Sequence, residues 1–411
     1  MTTGIKPRIA MLSVHSCPLG NLGARDTGGM SVYIREMAVE MGKLGFSVDI
    51  YTRLHDPNDE PVATFSDNVR LLHLKVGEEG AMDKLAVYHI LPEFVWHLEN
   101  FRKNGGLKYD LVFSHYWLSA WVGQYLKLLW QVPHVVMFHT LGAVKNAIGI
   151  GEDEPELRLI IEGYLAKHCN RIVAATKQEK EELMQRYGTS AGNITVIPCG
   201  VDLDLFRPRD KKAARQQLGW GDAKILLFVG RIVPLKGLDQ LLKAMVYLRN
   251  NHQLRLVIAG GDEHNRYELE RLKRLSQELR IDDLITFLGL VEHKQLPFLY
   301  SAVDICVVPS HHESFGLVAL ESMACGTPVV TTNVGDLEKI IHQGVTGYIA
   351  AENTPSCLAE NIALLLSASS STIGSVEIIR ASVTRFSWLN IARQMIEELQ
   401  RLLVDYSTVM P

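Results

Sequence analysis

Short β-rich runs alternate with amphipathic helical patterns along almost the whole chain, and the alternation runs in two successive series. Parallel strands need a long crossover between them, usually a helix, so this rhythm predicts an α/β protein built on parallel sheets. The first series places strands at residues 9–14, 48–52, 110–113, 134–138, 171–174 and 194–197. The second places them at 225–229, 254–259, 284–288, 304–308, 328–331 and 348–350. At 411 residues and 47% hydrophobic content the chain can bury two separate cores. The turn-rich segment from Ile197 to Pro208 divides them, giving domains at 1–197 and 198–387, and the amphipathic stretch 388–411 is free to return to the first domain.

Charge and cysteine usage narrow the function. Net charge is −4 and the basic residues are dispersed, so the footprint of a nucleic-acid binder is missing. The six cysteines are scattered without Cys-x-x-Cys spacing, which speaks against a structural zinc site or disulfide framework and for a reducing, cytoplasmic setting. The N-terminus runs straight into an apolar segment too short for a signal peptide or a membrane span, so no integral membrane association is expected.

Two motifs in the second series carry chemistry. In Pro309-Ser310-His311-His312-Glu313-Ser314-Phe315-Gly316-Leu317, followed by Glu321, the first glutamate sits in a loop and the second is expected about two turns into a helix starting near Gly316. Both carboxylates can then accept hydrogen bonds from hydroxyl-rich ligands, while the N–H groups of Ser314, Phe315, Gly316 and Leu317 open a helix N-terminus. His311 and His312 point in different directions and lack a third ligand at metal spacing, so no metal is expected here. Upstream, Gly230-Arg231 closes a strand and Lys236-Gly237 opens the next helix, displaying two cations at the edge where open α/β sheets bind ligands. They suit a diphosphate. In the first series Asp26-Thr27-Gly28-Gly29 precedes a helix, letting backbone approach a phosphate. The spacing is not Gly-x-Gly-x-x-Gly, which disfavours a dinucleotide dehydrogenase.

Taken together, Glu313 with Glu321, Gly230-Arg231 with Lys236-Gly237, and Asp26-Thr27-Gly28-Gly29 resemble the retaining glycosyltransferases of family 4 over nearly the full length. The resemblance implies the GT-B fold, in which two Rossmann-like domains face a central cleft. Within the family the inositol-phosphate enzymes are most similar, through His15-Ser16-Cys17-Pro18-Leu19, Gly28-Gly29-Met30-Ser31-Val32-Tyr33, Ser114-His115-Tyr116-Trp117 and the segment from His139 to Asn146. Sucrose-phosphate synthases share the same core. Carried over by position, Gly29, Arg231 and Lys236 would hold the diphosphate, the Val291 backbone the base, Glu313 the donor sugar and Glu321 the ribose. Lys84, Tyr116, Thr140 and Arg158 would hold an acceptor phosphate. His15, Asp26 and Ser31 would complete the acceptor wall, Ser31 standing where the family has asparagine.

The activity so implied is transfer of a glucosyl or N-acetylglucosaminyl unit from a UDP-sugar to a soluble phosphorylated acceptor, with retention and no further cofactor. Arg231 and Lys236 would stabilise the leaving diphosphate, and His139 and Glu313 would orient the sugar. Partners are then the nucleotide sugar and the acceptor, with a homo-oligomer left open. Competing readings are transfer to fructose 6-phosphate, a nucleotide-sugar epimerase, a non-catalytic UDP-sugar sensor and a glycosidase. The last needs its two carboxyls about 5–10 Å apart across the scissile bond.

Overall fold

A computed structural model of the protein describes residues 7–20, 22, 27–78, 80, 82–249, 254–261, 266–367 and 373–409. The first sheet contains β1 (Arg8–Leu12), β2 (Ser47–Arg53), β3 (Val62–Ser66), β4 (Val69–Leu74), β5 (Leu111–His115), β6 (His134–Met137), β7 (Arg171–Ala174) and β8 (Ile194–Val196), in the order β3-β4-β2-β1-β5-β6-β7-β8. Every neighbour pair is parallel except β3 with β4. The second sheet contains β9 (Lys224–Val229), β10 (Leu254–Ala259), β11 (Ile285–Gly289), β12 (Ile305–Val308), β13 (Val329–Thr332) and β14 (Gly347–Ala350), all parallel, in the order β11-β10-β9-β12-β13-β14. In both sheets the central strands are buried on both faces, which is why they read as unbroken apolar runs: Ile9, Ala10, Met11 and Leu12 are at most 1% exposed.

Two sequence expectations are corrected. The first sheet has eight strands rather than six, because 62–74 forms an antiparallel hairpin at its edge, turning through Asn68 in the left-handed region (φ +59°). The second correction lies in 83–103, where the apolar spacing of Leu85, Tyr88, Leu91, Phe94, Val95 and Leu98 predicts one core helix; the stretch is two helices, Lys84–His89 and Leu91–Asn104, with Pro92 at the start of the second. A proline ring clashes with the carbonyl four residues back, so the break falls just before it. Leu91, Phe94 and Leu98 are core, whereas Leu85 is exposed.

In each sheet the chain departs to both sides of one central strand, β1 between β2 and β5, β9 between β10 and β12. At such switch points the connections diverge and leave a crevice beyond the strand ends. The chain crosses between the sheets twice. Near the first crossing the Val201 N–H donates to the Phe386 carbonyl (2.8 Å), and Arg380 donates to the carbonyls of Leu203, Phe206 and Ala324 (2.8, 2.6 and 2.5 Å). After the second, helix Trp388–Val409 packs on Gly29–Lys43 of the first half, with Arg171 and Glu398 paired at 2.8 Å. Trp388 sets its ring edge-on to Tyr33 at 5.5 Å. Among the described residues no helix is long and apolar enough to cross a membrane.

Candidate functional site

The strand ends of both sheets open onto one cleft of about 410 Å³, lined by His15, Tyr116 and His139 on one side and Gly230, Gly260, Leu290 and Glu313 on the other. On the second-domain wall, Glu313 lies in the loop after β12 and Lys236 just before helix Leu238–Tyr247. Their side chains meet at 2.6 Å, and the Ser310 hydroxyl donates to the same carboxylate oxygen at 2.7 Å. Burial pushes the Glu313 pKa up, but the Lys236 ammonium and these hydrogen bonds outweigh it and hold the group below its usual range, hence ionised. Close packing fixes this pair: Gly237 is left-handed (φ +64°), and a Cβ there would stand 2.0 Å from the Pro309 carbonyl oxygen. Glu321 is the fifth residue of helix Leu317–Ala324, a little over one turn in rather than two. Its carboxylate accepts from Tyr300 (2.9 Å) and contacts His293 (3.1 Å) while still lining the cleft. Arg231 is exposed, and Val291, Ser314, Phe315, Gly316 and Leu317 border the same space.

Opposite, helix Gly29–Lys43 starts from Gly28, which offers no side-chain cap, so its first N–H groups and positive dipole end border the cleft. A Cβ on Gly29 would lie 3.3 Å from Leu317, so the two walls come within van der Waals reach here. Arg158, 1% exposed, donates to the Tyr116 hydroxyl (3.0 Å) and to Thr140 through both its carbonyl and hydroxyl (2.7 and 3.0 Å). It is also paired with Glu162 (2.6 Å) and Glu154 (2.8 Å), and the His15 ring lies 4.4 Å from that of Tyr116. Lys84 lines the same wall. Of the residues expected here, Ser31 turns away: it is fully buried, hydroxyl to hydroxyl with Ser16 at 2.8 Å, and does not reach the cleft. Asp26 lies outside the described residues.

The two halves match two family models, "Glycosyltransferase Family 4" over residues 27–205 and "Glycosyl transferases group 1" over 210–373. A D-inositol 3-phosphate glycosyltransferase of Catenulispora acidiphila is 39% identical, the match covering 97% of this chain and 96% of that one. One from Corynebacterium glutamicum is 35% identical over 94% of this chain and 95% of its own. The chain is a family 4 glycosyltransferase. Its fold is GT-B: the solved sucrose-phosphate synthase of Thermosynechococcus elongatus superposes with a TM-score of 0.89 at 32% identity, covering 97% of this chain and 100% of the other. The Anabaena HepE protein, solved in complex with UDP and glucose, shares the fold at 20% identity and a TM-score of 0.76, covering 96% and 100%.

The glycosyltransferase also has residues in or just behind the cleft that sequence reasoning did not single out. Lys145 lines the cleft beside Glu154, with which it pairs. Burial first, and then the charges of Arg158, Lys84 and Arg231, bring its pKa down to about 8. The four-residue steps from Glu154 to Arg158 to Glu162 are a legible sign of this network. His115, at the end of β5, is buried and within 2.9 Å of the His139 Nε2. Tyr116 and His139 both hold left-handed backbone (φ +74° and +62°), a conformation costing on the order of 1 kcal/mol or more and concentrated at binding sites. Burial takes the His139 pKa down to about 3, so it is a neutral hydrogen-bonding group at ordinary pH.

Proposed function

We propose that this glycosyltransferase moves a hexosyl unit from a UDP-sugar to a hydroxyl of a phosphorylated polyol, an inositol phosphate, retaining the anomeric configuration. One observation carries the reading: Lys84, Lys145, Arg158 and Arg231 all line one cleft. Such a concentration of cations suits two anionic groups, the donor diphosphate and an acceptor phosphate. The names of the 35–39% identical relatives support the inositol phosphate.

In this reading Arg231, Lys236 and the first turn of helix Gly29–Lys43 meet the charge that develops on the departing diphosphate, which is where fixed dipoles accelerate most. No protein nucleophile and no catalytic metal are called for. The acceptor hydroxyl attacks from the side the diphosphate leaves, giving its proton to the leaving phosphate oxygen. Ionised Glu313 accepts from donor sugar hydroxyls, neutral His139 supplies a further hydrogen bond, and Glu321 faces the ribose. A glycosidase would need a carboxyl with a raised pKa as general acid. Glu313 is shifted the other way, and both Glu321 oxygens are engaged.

The test is product mass from UDP-glucose and UDP-N-acetylglucosamine against inositol phosphate, free inositol and fructose 6-phosphate, with the anomeric coupling of the product read by NMR. Equal kcat/KM for phosphorylated and free inositol would reject the phosphate pocket. Preference for fructose 6-phosphate would favour the second reading, which the structural likeness to sucrose-phosphate synthase supports. Donor turnover without any acceptor would indicate an epimerase instead.

A further inference from the structure

Away from the diphosphate site, three residues from separate segments converge behind the acceptor wall: Cys17 in the loop after β1, Asp59 ahead of β3, and His73 on β4. The Cys17 Sγ is 3.5 Å from His73 Nε2, which is 3.8 Å from Asp59 Oδ2, and all three atoms lie within 4.8 Å of one another. A tetrahedral ion bound at about 2.0–2.3 Å holds its ligand atoms about 3.3–3.8 Å apart, which the two separations from His73 match, while the third pair, within 4.8 Å, needs at most a small side-chain adjustment. His73 is oriented for the task. Its Nδ1 donates to the Glu60 carbonyl at 2.6 Å, which leaves the Nε2 lone pair directed at Cys17 and Asp59. Cys17 and His73 are 5% and 8% exposed, while the Asp59 side chain reaches the surface and gives an entry path.

We infer that Cys17, Asp59 and His73 form a binding site for a thiophilic divalent cation of the zinc type. A thiolate, an imidazole and a carboxylate are a borderline-soft set that suits zinc rather than magnesium or calcium, and the ion's double charge offsets the two anionic ligands. A fourth position remains for solvent on the Asp59 side. In the metal-free protein, burial and the Asp59 charge keep the thiol protonated, so binding forms the sulfur–metal bond and releases that proton to water. The ion would pin the loop carrying His15, whose ring contacts that of Tyr116, to the β3–β4 hairpin. Its role is to hold the acceptor wall rather than to take part in transfer.

Titrating the chelator-stripped full-length chain with Co²⁺ alone tests this. Expected are saturation at a single equivalent, a thiolate-to-cobalt charge-transfer band with tetrahedral visible bands, and loss of both on adding Zn²⁺. Cys17→Ser should lose the charge-transfer band, whereas Cys357→Ser, remote from the cluster, should keep it. Asp59→Asn, at a partly exposed position and so a mild change to the fold, should bind Co²⁺ about tenfold or more weakly even if Cys17→Ser fails to fold. No stoichiometric Co²⁺ uptake by the wild-type chain, a charge-transfer band that survives Cys17→Ser, or an Asp59→Asn affinity equal to wild type would overturn the site. Cys17 would then be a thiol donor to His73 and no more.

Discussion

Lys236 and Glu313 are each the other's counter-charge before any donor arrives, so replacing either disturbs both. Lys236→Ala removes the cation proposed to meet the leaving group and strands a part-buried carboxylate. The expected result is a fall in kcat of about 100- to 1,000-fold with a smaller change in donor KM, checked by steady-state kinetics on folded protein. Wild-type activity in that variant would remove Lys236 from the leaving-group role. Because the folded-state pKa of Glu313 is depressed, the stability it contributes is present above the unfolded carboxyl value, near pH 4.5, and is lost as pH falls through the lower folded value. Thermal melts from pH 6 to pH 3 should therefore show a shallower acid-side loss in Glu313→Gln than in wild type. His139 should show no imidazole titration between pH 8 and pH 5 by NMR, since burial places its transition at about 3. These residue types and spacings were legible in the chain. What spacing could not show was their pairing: Ser31 bonding to Ser16, Arg158 already satisfied by two glutamates, and His293 behind Glu321 each depend on which segment packs next to which.

At the level of elements, the loop-to-helix corners matter more than the helices themselves. Gly237→Ala would place a methyl against the Pro309 carbonyl in a backbone conformation that disfavours any Cβ. We expect a loss of more than about 1 kcal/mol and hence a Tm lower by about 2–4 °C for each kcal/mol, measured by calorimetry, with UDP affinity falling alongside. The twelve strands read from sequence all exist, and the central ones are the plainest to read because a strand buried on both faces must be apolar along its length, whatever its neighbours are. The hairpin 62–74 escaped because an edge strand obeys a weaker rule: Val62 is 39% exposed and the strand alternates with polar residues. The Pro92 break escaped because the apolar spacing of Tyr88, Leu91, Val95 and Leu98 continues across it, and periodicity does not register an interruption in hydrogen bonding.

For the whole molecule, the division of labour is between two walls of one cleft, and a bound donor is expected to touch both. UDP bridging Gly29 and Arg231 should favour a narrower cleft, seen as a smaller radius of gyration in solution scattering; an unchanged radius at saturating UDP would remove support for that bridge. Deleting the chain beyond Phe386 should lower the Tm of the first half, since Tyr33 and Gly200 lose Trp388 and Arg171 loses Glu398. The two crossings between the halves have a kinematic consequence. Val201 and Ser387 lie side by side as an isolated parallel bridge, so the halves are joined not by one thread but by two segments that touch where they cross. A single thread lets one body swivel about any direction. A paired one, like the two pins of a door, favours swing about one axis over torsion about the other two, so a closure of the cleft would carry Arg231 and Lys236 along one arc toward the Gly29 helix.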